Sequence, residues 1–232
     1  METAGTPVRT VPRPGLRERK KQRTRDALVR AALELFATRG YDGTTVDDIA
    51  AAVDVSQRTF FRYFAGKEEV AFFVPRLAES HVVEAVRGRP PGEAPLEALR
   101  RAVLDGWDGW DGINGAVERL VPLDLHLRVC RVIESTPVLF AARLRRAAEL
   151  EEELARVIAE REGLDVDADP RPRILVAAFG GAVRVTERRW SAGGDLTAAA
   201  LRDLMAAHLD LLGPALAENW RTGRSPDRRT ET

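Results

Sequence analysis

The sequence predicts an all-α fold, with three short helices at the N-terminal end followed by a larger bundle of longer ones. Two observations predict it. Apolar residues recur at steps of three or four along most of the chain, and no run alternates apolar and polar residues for long enough to suggest a strand. The length, 232 residues of which 44% are hydrophobic, is enough to bury a substantial core in one large or two small domains.

In chain order, Pro7, Pro12, Pro14 and Gly15 make the start of the chain poor material for a regular element. Residues 1–23 are therefore read as a disordered arm, basic along its second half, and the polar run 221–232 as a disordered tail. Leu28, Ala31, Ala32, Leu35 and Phe36 mark a first helix ending near Gly40, where glycine can adopt the left-handed C-terminal conformation. Thr45 reads as an N-cap with Asp48 in the capping-box position, and Ile49, Ala50 and Val53 form the buried face of a second helix. Asp54-Val55 reverses the chain, and Asp is among the few non-glycine residues that tolerate a left-handed turn. Ser56 caps a third helix running through Phe64. Residues 24–66 thus make a three-helix head.

Residues 67–220 read as a helical body. Leu96, Leu99, Val103, Trp107 and Trp110 form one stripe, begun after the Gly88–Pro95 break. Pro122 and Pro137 bracket a segment carrying Leu125, Val129, Val132 and Ile133. Further helices are expected at 138–162, 173–190 and 196–212, separated by loops at 163–172 and 191–195.

The zero net charge hides a split. Residues 1–67 hold 13 basic and 8 acidic residues, net +5, and the remainder is net −5. A basic arm ahead of a small domain suits a polyanion partner, with a solvated tail as the alternative. The longest uncharged stretch, Ile174 to Val183, is ten residues, too short to cross a bilayer. No secretory leader is recognisable and Cys130 has no second cysteine to pair with, so a soluble, cytoplasmic protein is expected. No phosphate-binding Gly-Lys-Ser/Thr loop, Gly-x-Ser-x-Gly elbow or His-Glu-x-x-His occurs, and His81, His126 and His208 are scattered. Neither an enzyme nor a metal or other cofactor is expected.

The informative segment runs from Thr44 to Lys67 and reads as helix, tight turn, helix. On its second helix Phe60 and Phe64 are four apart and can face the core, leaving Gln57, Arg58, Thr59, Phe61, Arg62 and Tyr63 outward. A surface that is hydrogen-bonding, cationic and aromatic within two turns suits the major groove of DNA.

At these residues the sequence resembles the tetracycline-repressor (TetR) family of bacterial transcription regulators. The residues that carry the likeness are Gly40-Tyr41, Thr45, Val55-Ser56, Thr59-Phe60-Phe61-Arg62-Tyr63-Phe64 and Lys67, within a dense match over 24–70. Two positions depart from the family pattern. Asp54 replaces the usual turn glycine, and Phe61 replaces a tyrosine whose hydroxyl often reaches a phosphate. Beyond residue 70, the Ser135–Leu139 turn, the 165–172 loop and the small-residue helix ending in Trp190 look like the mycofactocin-regulator-like branch, associated with acyl-CoA-like ligands. The resemblance implies a homodimeric, ligand-responsive regulator, a repressor, with a DNA-binding head and a body for ligand binding and dimerisation. It would hold a palindromic operator in double-stranded DNA and be released by a small apolar or acyl-CoA-like effector, with no membrane partner. The rival reading is an all-helical small-molecule or acyl-group binding protein whose basic arm is incidental.

The DNA-contact candidates are Thr45, Gln57, Arg58, Thr59, Phe61, Arg62, Tyr63 and Lys67. Arg58, Thr59 and Tyr63 are best placed for bases; Arg62 is a phosphate-bound or solvated charge, Gln57 a contact or a first-turn filler, and Thr45 first an N-cap. A cation in a helix's first turn opposes the dipole at a cost of roughly 0.3–1 kcal/mol, and a phosphate would reverse that sign, so Lys67 is expected to hold one. Ligand candidates are Trp107, Trp110, His126, Cys130 and Phe140, with core packing as the alternative for the tryptophans and simple burial for Cys130. Pro75 offers a pivot in the helix that begins at Lys67. Gly180-Gly181 inside a helix costs about 1 kcal/mol per glycine relative to Ala, which close helix approach would offset. The resembled family dimerises through its last two long helices, which implies an interface of Ala177, Gly180, Gly181, Leu204 and Leu211, with Leu201 and His208 on the same stripe.

Overall fold

The computed structural model describes residues 15–106, 113–193 and 197–217, and these residues form helices and no strand. The chain divides into two compact units, Met1–Val70 and Ala71–Thr232. Among the described residues no helix is long and apolar enough to cross a membrane.

In the first unit α1 spans Leu16–Arg39, α2 Val46–Ala52 and α3 Gln57–Phe61, while α4, Lys67–Ala71, begins at its end. Helix α1 starts at Leu16, so residues 16–23 of the expected disordered arm are helical. The reason is propagation: Arg, Lys, Glu and Gln are good helix formers, and extending a helix that Leu28–Phe36 already anchor needs no new nucleus. Glu18 in the first turn also pairs loosely with Lys21 at 3.8 Å. Gly40 ends α1 at φ 78°, ψ 165°, a backbone that glycine adopts without strain, although not the left-handed helical cap expected there. Helix α1 packs on α2 and α2 on α3. The core of this unit is Leu28, Val29, Ala32, Leu33, Phe36, Ile49, Ala50, Phe60 and Phe64. Full burial of each phenylalanine contributes about 1.5–3 kcal/mol, which fixes α3 although it has only five residues.

The second unit holds α5 (Phe73–Arg87), α6 (Pro95–Asp105), α7 (Ile113–Leu120), α8 (Leu123–Ser135), α9 (Pro137–Glu162), α10 (Arg171–Ser191), α11 (Ala198–Asp210) and α12 (Leu212–Ala217). Helix α9 is the spine, packing on α5, α8 and α10, while α10 also packs on α11. Their shared core includes Val83, Val86, Leu99, Leu154, Ile158, Phe179, Leu201, Met205 and Leu209. Arg161 holds the α5–α6 loop by donating from Nη1 to the carbonyls of Val86 (3.2 Å) and Arg89 (2.7 Å), and from Nη2 to that of Pro90 (2.9 Å). The break after Lys67 falls at Phe72 (φ −94°, ψ 7°), not at Pro75. A proline cannot donate to the carbonyl four residues back, so the helix restarts at Phe73 and places Pro75 in the first turn, where that donor is not needed.

Candidate nucleic-acid interface

The sequence builds the α2–α3 corner from local devices. Thr45 Oγ1 accepts from the Asp48 N–H at 3.1 Å, while Asp48 Oδ2 accepts from the Thr45 N–H at 2.8 Å and from the Thr45 hydroxyl at 2.6 Å. These bonds hold the Asp48 carboxyl below the usual carboxylate range, the hydroxyl contributing most. Asp54 turns the chain at φ 55°, the left-handed position for which it was singled out. Ser56 Oγ then accepts from the Thr59 N–H at 3.2 Å and caps α3. Regular α-helix stops at Phe61, short of the expected Phe64. The chain still completes the turn, because the N–H groups of Tyr63 (2.9 Å) and Phe64 (3.1 Å) both donate to the Phe60 carbonyl.

With Phe60 and Phe64 buried, the opposite face is left to solvent. Gln57, Arg58, Phe61 (51% exposed) and Arg62 are exposed, and Thr59 and Tyr63 half-buried. The Phe61 ring stands edge-on to Phe60 at 5.5 Å between centroids, and the Arg62 guanidinium lies 5.1 Å from the Tyr63 ring centre. These contacts pre-order a surface of amide, guanidinium, hydroxyl and ring edges, the groups that base edges and phosphates accept.

Lys67 does something else. Its ammonium donates to the carbonyl oxygens of Tyr41 (2.8 Å) and Thr44 (3.1 Å) and lies 4.1 Å from the Tyr41 ring centre. Two of three N–H groups are thus spent inside the first unit, so the lysine expected to hold a phosphate is also a clamp on the α1–α2 loop. Tyr41 is buried against α1, its ring 5.3 Å from Phe36, and burial pushes its phenol up to about 12, so the hydroxyl stays neutral.

Residues 28–72 match the model of the bacterial regulatory proteins of the tetR family, and residues 93–217 match the MftR C-terminal domain. The chain is 46% identical over 228 residues to the HTH-type transcriptional regulator TcmR of Streptomyces glaucescens, covering 95% of this chain and 96% of that one. This chain belongs to the TetR family. It is a TetR-family transcriptional regulator with a helix-turn-helix head. It is also 27% identical to the mycofactocin biosynthesis regulator MftR of Mycobacterium tuberculosis, over 85% of this chain and 93% of that protein. A TetR-family regulator from Rhodococcus sp., 18% identical, shares the fold with a TM-score of 0.52 over 82% of this chain and 98% of its own.

In the body of this TetR-family chain the candidate ligand residues fall into two groups. Trp107 and Trp110 lie outside the described residues. His126 and Cys130 share one face of α8, with His126 Nε2 3.6 Å from Cys130 Sγ; burial lowers the imidazole to about 4 and raises the thiol to about 12. Phe140 on α9 is partly exposed, with the Arg143 guanidinium 5.2 Å from its ring centre.

Several candidate interface residues face inward. A Cβ on Gly180 would sit 2.7 Å from Glu151 Oε1, so that glycine faces the carboxylate of α9 that pairs with Arg184 within one chain. Leu201 is core, Leu204 is packed against it, and His208 Nδ1 lies 2.9 Å from the buried Thr186 hydroxyl. The cause is that α11 packs on both α10 and α6, which claims the stripe expected to face a partner. Ala177 and Leu211 (58%) are exposed, as are Ile174 (65%) and Val185 (59%), and a Cβ on Gly181 would meet only open space and an Arg184 nitrogen at 4.0 Å.

Proposed function

We propose that this TetR-family regulator is a homodimeric, ligand-responsive repressor that lays α3 in the major groove of a palindromic operator. Arg58, Thr59 and Tyr63 read bases, with Gln57 at the start of the helix; Phe61, Arg62 and Thr45 lie along the backbone, and Lys67 acts as a positioning residue. The observation that carries this reading is the division of the α3 segment, where Phe60 and Phe64 are buried while Gln57, Arg58, Phe61 and Arg62 are left to solvent. The exposed basic face of the first two turns of α1, with Arg17, Arg19, Lys20 and Lys21, supplies charge for flanking phosphates.

Dimerisation is assigned to α10 with the end of α11. Ile174, Ala177, Gly181 and Val185 lie on one line of α10 at steps of three and four, and Leu211 adds exposed apolar surface. Two copies joined this way would present their α3 helices to half-sites about one DNA turn apart, roughly 34–36 Å. A small effector enters the body beside α8 and α9, where His126, Cys130 and Phe140 lie. Selection of bound duplexes from random sequence tests the reading. An enriched palindrome with half-sites one turn apart supports it, and a failure to enrich any sequence contradicts it.

A further inference from the structure

The chain passes from one compact unit to the other once, between Val70 and Ala71. On the first unit's side, α4 is tied down at its first residue, because Lys67 donates to the Tyr41 and Thr44 carbonyls. On the other side stands the Phe72 break, where φ −94°, ψ 7° departs from helical values of about −63°, −42° before α5 begins. Ala71, Phe72, Phe73 and Val74 are all buried, so the break lies in packed structure and its angles depend on what holds these side chains.

One side chain of α9 reaches this break. Arg146 pairs with Glu79 of α5, and its guanidinium lies 5.4 Å from the centre of the Phe72 ring. The Arg146 side chain is 22% exposed, against 37%, 40% and 45% for the arginines that pair with Glu151, Glu152 and Glu153 of the same helix. Water therefore screens this pair less than those. A planar guanidinium can hold a carboxylate at its edge and an aromatic ring against its face, a geometry that a compact ammonium lacks. The same helix carries Phe140, roughly 9 Å earlier along its axis at about 1.5 Å per residue, beside which the effector is placed.

We propose that Arg146 is a positioning residue for DNA binding: through Glu79 and Phe72 it ties α9 to the break, and so sets the course on which the chain leaves the larger unit for the DNA-binding one. Lys67 passes that course on to the loop that delivers the N-cap of α2. The connection is thus held by one cation at each end, with the Phe72 break between them. This role rests on the reading that a dimer holds a palindromic operator, because a reset break would change the separation of the two α3 helices.

The test measures the affinity of the full chain for duplexes that keep both selected half-sites and change their separation by one base pair either way. Wild type should prefer one separation by about tenfold or more. Arg146→Met, which keeps the apolar stem, should shrink that preference about threefold or more and leave base preferences within a half-site as they were. Arg146→Lys, which keeps the charge without the planar face, should recover part of it. A pair that only stabilises the fold would lower the active fraction for every duplex alike and leave the ratio untouched. Without DNA, Arg146→Met should also speed amide hydrogen exchange over residues 72–80 while exchange over α11 stays as in wild type. An unchanged spacing ratio in Arg146→Met overturns the proposal, as does unaltered exchange at the break. Circular-dichroism melts check folding; should Arg146→Met fail to fold, Phe72→Leu, which keeps apolar bulk and removes the ring, must shrink the spacing preference in its place. A wild type indifferent to separation removes the operator reading together with this role. A wild-type preference that the variants share in full removes this role alone.

Discussion

Lys67 Nζ lies 2.8 Å from the carbonyl oxygen of Tyr41 and 4.1 Å from the centre of its ring, so one loop residue receives the ammonium twice. With the third contact, to the Thr44 carbonyl, this joins the start of α4 to the loop that delivers the N-cap of α2. Lys67→Met should therefore cost the head roughly 1–3 kcal/mol through two unsatisfied carbonyls and weaken DNA binding without altering sequence preference. The plot of log affinity against log salt should keep its slope. A slope flatter by about one unit would put the ammonium on a phosphate instead.

The two adjacent glycines of α10 should behave oppositely. Gly181→Leu adds a side chain to open space, so each subunit should keep its helical content while sedimentation shows monomers in place of dimers. Gly180→Leu drives its side chain into the Glu151 carboxylate and the Arg184 pairing it makes, so thermal stability should fall in the subunit itself. A stable Gly181→Leu dimer would move the interface elsewhere.

Asp54 holds φ 55° between α2 and α3. Asp54→Val should cost about 1–2 kcal/mol, because a β-branched side chain is strained there, whereas Asp54→Gly should be neutral to within about 1 kcal/mol. Thermal melts of the three proteins check the order, and the Val variant should lose operator affinity as α3 loses its entry angle.

What the sequence made legible here is local. Thr45, Asp48, Asp54 and Ser56 act on residues two to four positions away, so capping and turn chemistry are visible in the order of letters. Phe60 and Phe64 follow from helical spacing in the same way. The clamp made by Lys67 was hidden because its acceptors lie 23 and 26 residues back, and only the folded loop brings those carbonyls to it. Gly180 and Gly181 look alike in sequence and differ by one step of about 100° round α10, which sends one toward α9 and the other to solvent.

Burial pushes the His126 imidazole down to about 4. The unfolded imidazole binds its proton near pH 6.5 and the folded one does not, so stability should fall as pH drops from 6.5 toward 4 and level off below, by up to about 3 kcal/mol. Glu79 and Glu187, raised by burial, take up protons more readily when folded and act with the opposite sign in acid. The comparison is therefore between wild type and His126→Gln, whose melting temperatures should converge as pH falls through that window. Parallel curves would show that His126 is as solvated in the folded chain as in the unfolded one.

The most direct test of the central claim, that exposed residues of α3 read bases, is the affinity of wild type and Arg58→Ala for every single-base variant of the selected operator. The account predicts that Arg58→Ala abolishes discrimination at one or two symmetric positions, worth about 1–3 kcal/mol each, and leaves the others unchanged. A uniform loss across all variants, with the base preferences intact, would contradict it and make Arg58 a phosphate contact.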